Sequence, residues 1–194
     1  MANISRPNGF RPVKHLNGSA WNGQTQLFAI LAANATATGV GDLVMLDGGA
    51  DANGVPSVDR LTNGTTSVPV GVIVGFMPDY SNLYTPSQFR SASTLLYAFV
   101  VTDNTVVFEA QASGAYGVAT DSGLNVGTTL TAVSTATGLS GMQIDLATKA
   151  TGATLPLKIL GVVQRPDNDV SDTTNLKLHV VLNNSAMSNG VTGV

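Results

Sequence analysis

The chain contains no cysteine and only one glutamate, Glu109. Disulfide frameworks and thiolate metal sites are excluded, and the redox compartment cannot be read from thiol usage. Histidine occurs twice, at His15 and His179, and tryptophan once, at Trp21. Charged residues make up 11% of the 194, against about 25% in an ordinary soluble domain. No stretch approaches the roughly 18 apolar residues of a membrane-spanning helix. The opening has no apolar segment of the secretory type, so use without classical secretion is expected. A net charge of -3 is the wrong balance for a general nucleic-acid binder.

What is abundant is hydrophobic and neutral polar. At 43% hydrophobic the chain can bury a sizeable core, and its length fits one domain. Thr, Ser, Asn and Gly carry the solubility that charge does not. A low-charge surface is easily dehydrated, which suits lasting association with other subunits.

Short strands are predicted at 41–46, 68–76, 94–101, 105–111, 128–133, 142–146, 155–164 and 176–183. Each is rich in Val, Ile, Leu, Thr and aromatics and is bounded by Gly, Asn, Asp or Pro. "TLLYAFVVTDNTVVFEAQ" (94–111) predicts a hairpin on a tight Asp-Asn turn. The best helix candidate is short, "TPSQFRSAS" at 85–93. The expected class is mostly β, a barrel or sandwich of β-tulip or jelly-roll type. Residues 36–183 form the expected core, with 1–35 an extended N-terminal arm and 184–194 a tail. "GVGDLVML" followed by "PVGVIVG" echoes "NVGTTLTAV" followed by "PLKILGVV". Two related halves of a barrel and the ordinary monotony of β sequence both account for that echo.

Candidate chemistry is sparse. His179 alternates with Lys177 on one predicted strand face, and no second histidine lies near it for a metal site. No G-x-S-x-G elbow supports a Ser-His-Asp set, and no phosphate-binding glycine motif is present. "DGGADANG" (47–54) offers Asp47, Asp51 and Asn53 as oxygen ligands but lacks the closing glutamate of a calcium loop. "RPDNDVSD" (165–172) gathers Asp167, Asp169 and Asp172 beside Arg165 and fits an Asx-rich turn. No enzymatic activity, metal or cofactor is expected.

The opening "RPNGFRPVKHLNGSAWNG" (6–23) is cationic, aromatic and without periodicity, and no acidic residue precedes Asp42. With "GDLVML…PVGVIVGF", "VVTDNTVVFEAQ", "GLSGMQIDL" and "LKILGVVQRPDN" in that order, it resembles the capsid decoration, or cement, proteins of tailed bacteriophages. The likeness runs from residue 6 to about 183. It implies a β-rich domain on the outer surface of the virion, oligomeric, that bridges subunits of the major capsid protein. It implies no catalytic residues. In that setting Arg6, Arg11 and Lys14 are expected to meet acidic capsid groups. Phe10 and Trp21 are expected to serve as anchors, and Pro7 and Pro12 to hold the arm extended. A trimer is favoured over a dimer. The alternatives are an arm folded back along its own barrel, and a carbohydrate-binding or adhesin-like module that takes a surface glycan.

Overall fold

A computed structural model gives the fold, and it describes residues 3–79 and 88–188. Every regular element among these residues is a strand. In chain order they are β1 (Arg11–His15), β2 (Gln26–Ile30), β3 (Thr38–Gly39), β4 (Leu43–Ala50), β5 (Pro56–Arg60), β6 (Gly71–Phe76) and β7 (Phe89–Arg90). They continue as β8 (Leu96–Val101), β9 (Val106–Ser113), β10 (Asn125–Thr128), β11 (Ile144–Ala150), β12 (Leu157–Val162) and β13 (Lys177–Leu182). The barrel class expected from the sequence is present, built as two five-stranded rings. The first closes in the order β2-β5-β4-β6-β8. The second runs β9-β11-β10-β12-β13, and the β9–β13 pairing closes it. β1 is added outside this ring, along β9.

The two rings have the same topology. Each has one parallel pair, β2 with β5 and β9 with β11, and is otherwise antiparallel. Ile73 faces Val100 as Ile159 faces Val180. Each ladder then bulges, which sets Gly75 opposite Phe99 and Gly161 opposite His179. Glycine suits a bulge because no side chain opposes the kink. Met45 faces Asp59 as Gly127 faces Asp145. Following the registers either way round matches Ala29 with Gln111. Inward residues match too, with volumes exchanged: Phe28 faces Ala98 where Ala110 faces Leu178. Large and small residues alternate in this way to fill a narrow barrel. β4 and β6 answer to β10 and β12 in the two rings, but the sequence echo does not carry that match: it sets Gly41 against Gly127, where the registers set Met45 against Gly127.

Local sequence explains why some strands show no alternation. Val44, Ile73 and Val100 line the first barrel. Their neighbours Leu43, Val72 and Val101 face the other way and join the cluster of the second barrel. Both faces are buried, so both must be apolar.

Several expectations are corrected. The predicted 94–111 hairpin does not form: β8 pairs with β2 and β6, and β9 with β1, β11 and β13. A strand has two edges, and those of β8 are filled within the first barrel. The turn remains as a link between barrels, where Asp103 Oδ1 accepts from Thr105 N at 2.8 Å. Residues 129–133 are not a strand; β10 lies earlier. The helix expected at 85–93 lies partly outside the described residues, and its described part contains β7 instead. The described part of 1–35, from residue 3, is not an arm outside the core. It supplies β1 and β2, and Phe10 is only 2% exposed. The tail boundary also moves, since Ser185 is buried and Ala186 N donates to Pro69 O at 2.9 Å.

The N-terminal segment crosses where the barrels meet. Phe10 N donates to Gly41 O at 2.9 Å. Gly9 has φ +71°, and a Cβ there would stand 2.6 Å from both Gly41 O and Ser140 Cβ. Beside this crossing, buried Asp42 accepts from Ser140 Oγ at 2.5 Å and from Gly39 N at 2.7 Å. Arg60 Nε stands 3.1 Å from Asp42 Oδ1, and its Nη2 donates to Thr131 O. Burial raises the Asp42 carboxyl pKa, while Arg60 and these donors oppose the shift.

Candidate functional site

An open groove of about 830 Å³ lies beside β1, where the N-terminal segment meets both barrels. β1 is held antiparallel to the first half of β9, with Arg11 opposite Glu109 and His15 opposite Val106. The register slips between Pro12 and Lys14. Proline has no N–H to give a ladder, and a bulge accommodates it. The chain then turns back: Gly18, at φ +89°, donates to His15 O at 2.9 Å, and His15 N donates to Ser19 O at 2.8 Å. This return brings Trp21 alongside, half-buried against the second barrel's cluster. The Trp21 Nε1 is buried and has no acceptor among the described residues.

Beside the groove one cluster of charges is already paired. Arg165 grips Glu109 with both arms of its guanidinium, at 2.7 and 2.8 Å. Its Nε also meets Asp167 Oδ1 at 3.1 Å, and Lys177 Nζ meets Asp167 Oδ2 at 2.5 Å. The Lys177 hydrogen bond, with Arg165 behind it, holds the Asp167 carboxyl below its ordinary range. His179 faces Glu109 across the β9–β13 ladder. Burial lowers its pKa, Lys14 and Arg165 add to that, and Glu109 opposes it.

Arg6, Arg11 and Lys14 are exposed and take part in no ion pair among the described residues. Glu109 is the one acidic residue among those lining the groove, and Arg165 already neutralises it. The groove is thus locally cationic on a chain of net charge -3.

The residues singled out from the sequence divide clearly. Arg6 and Arg11 line the groove, and Lys14 stands on the same strand. Trp21 is a groove wall. Pro7 is half-buried nearby. Phe10 is a correction: it is buried in its own core and cannot anchor a partner. Sequence reading missed Arg165, Lys177 and Gln111 as neighbours of this segment. Gln111 ties the segment down, accepting from Arg6 N at 2.7 Å and donating to Ile4 O at 2.9 Å. The alternation of Lys177 with His179 was the only sequence signal for the shared face.

The other candidate loops are occupied by their own turns. Asp51 Oδ1 accepts from Asn53 N and Val55 N, each at 2.8 Å, and Oδ2 accepts from Tyr97 OH at 2.5 Å. Asp47 accepts from Gly49 N at 2.8 Å and from Ser57 Oγ. Asp172 accepts from Asn3 N at 2.7 Å and from Thr174. His15 lies 3.4 Å from Asp103 and 3.1 Å from the Thr105 hydroxyl. Among the described residues no three of His, Cys, Asp or Glu converge as metal ligands would. No helix among them is long and apolar enough to cross a membrane.

Comparison of the chain with protein-family models, with curated proteins and with solved structures finds no match in any of the three.

Proposed function

We propose that the chain is a decoration protein of a tailed-bacteriophage head, which binds the outer capsid surface and joins neighbouring subunits of the major capsid protein. The observation that carries this reading is the set of exposed cations Arg6, Arg11 and Lys14, without ion pairs among the described residues, on and just before a strand fixed to a barrel. Because β1 is bonded along β9, these side chains start from a rigid base. Little backbone ordering opposes docking, as it would for a free arm. The ordered motifs from residue 6 to about 183 support the same assignment. A homo-trimer suits it, since local three-fold positions let one oligomer touch several capsid subunits.

The test adds purified protein to undecorated heads and measures occupancy and the heat resistance of the particles. Neutralising Arg6, Arg11 and Lys14 to glutamine is expected to abolish occupancy while leaving the melting curve unchanged. No binding by the unaltered protein refutes the reading; full occupancy by this variant refutes the role given to the three cations. Sedimentation of the free protein reports its oligomeric state.

A further inference from the structure

We infer that the groove beside β1 seats an extended segment of a partner protein in which acidic and aliphatic residues alternate. This rests on reading the chain as a protein that docks on other proteins, and it names the chemistry of what is docked. Two features of the walls carry it.

The first is charge. Arg6 and Arg11 line the groove without a carboxylate of their own, while Glu109 is held by Arg165. An entering carboxylate therefore finds free guanidinium groups and displaces no existing pair. Guanidinium forks favour carboxylate geometry.

The second is the apolar part of the lining. Val13, Val74 and Leu139 line the same groove and are half-buried, with Trp21 beside them. These side chains offer apolar contact but no hydrogen bonds. An extended peptide sends successive side chains to opposite faces. One row of carboxylates then meets Arg6 and Arg11 while the alternate row meets Val13, Val74 and Leu139. An acidic oligosaccharide matches the charge but presents hydroxyl groups to Val13, Val74 and Leu139, which offer them no hydrogen bonds.

Trp21 is the only tryptophan in the chain and lies in the wall, so its emission reports occupancy. The probe is a capped peptide alternating glutamate and leucine. Its controls are the same peptide with glutamine for glutamate, and an oligogalacturonate. The expected result is a saturable change in Trp21 emission with the acidic peptide. Binding weakens roughly tenfold with the glutamine peptide or with the double variant Arg6→Ala, Arg11→Ala, as two exposed charge contacts predict. Lys158→Ala, on β12 and away from the groove, leaves binding unchanged. Equal binding by the double variant, preference for the oligogalacturonate, or no binding of the acidic peptide overturns the inference. Head occupancy measured on the same variants separates the two ideas. Undiminished occupancy by the double variant sinks the groove and leaves decoration standing. Peptide binding without head binding does the reverse.

Discussion

Arg90 offers the sharpest test of how the first barrel is held together. Its side chain is fully buried, yet it faces no carboxylate in an ion pair among the described residues. Four backbone carbonyls surround it. Nε donates to Thr94 O at 2.8 Å, Nη1 to Thr36 O at 2.7 Å, and Nη2 to Leu31 O at 2.7 Å and Asn34 O at 2.8 Å. The guanidinium thus ties the chain after β2 to the approach to β8. Arg90→Met keeps much of the volume and removes every donor. A hydrogen bond to a charged group contributes about 1.5–3 kcal/mol. Water can reach the carbonyls of Thr36 and Thr94, which are exposed residues, so the lasting loss falls on Leu31 and Asn34. Relief from burying the cation offsets part of that. The net expectation is a loss of about 3 kcal/mol, or roughly 6–12 °C in Tm for a chain of this length. Arg90→Lys should fall between, because one ammonium cannot span four carbonyls. Urea unfolding followed by Trp21 emission, with a thermal scan by circular dichroism, measures both. A melting point for Arg90→Met within about 2 °C of the parent would show that the carbonyls do not depend on the guanidinium, and would refute the reasoning.

Four further outcomes are expected. Phe10→Ala should lose about 3–5 kcal/mol by denaturant titration. Deleting residues 1–23 should prevent stable folding, since it strips β1 from β9; a truncated protein that melts like the parent would restore the free-arm view. Gly9→Ala and Gly54→Ala both carry the roughly 1–2 kcal/mol of a left-handed alanine. Only Gly9 adds a clash, since nothing lies within 4 Å of a Cβ at Gly54, so its midpoint should drop further. Equal midpoints would contradict the packing described at residue 41. Acid should destabilise the protein through carboxyls held below the ordinary 3.8, Asp51 by the Tyr97 hydroxyl first and Asp103 by Thr105 N first. Their stabilisation is complete above that value and disappears as pH falls through the lower folded pKa. Asp51→Asn and Asp103→Asn should flatten the fall in Tm below about pH 4, and an unchanged acid profile in both would count against these bonds.

The sequence alone determined the β class and the place of most strands, because both are written locally. Runs such as "GVIVGF" and "LKLHVVLN" favour extended backbone, and Gly, Asn and Asp between them favour turns. It also marked Arg6, Arg11, Lys14 and Trp21, by the charge and aromatic content of one stretch. Only the tertiary structure decided which strands pair. "TLLYAFVV" and "TVVFEAQ" read as a hairpin because pattern reports what seeks burial, not which edge remains free. Once β2 and β6 flank β8, β9 must pair elsewhere, and the chain divides into two barrels. The same holds for Phe10, whose surroundings come from residues far along the chain, and for Arg90, whose partners are backbone carbonyls without any side-chain signature. The groove is the clearest case. Its walls bring Arg6 and Trp21 together with Val74, Leu139 and Arg165, and no spacing within the sequence announces that meeting. Closure of the second barrel and the crossing of residues 8–10 over Gly41 create it, because they fix in space segments that are distant along the chain.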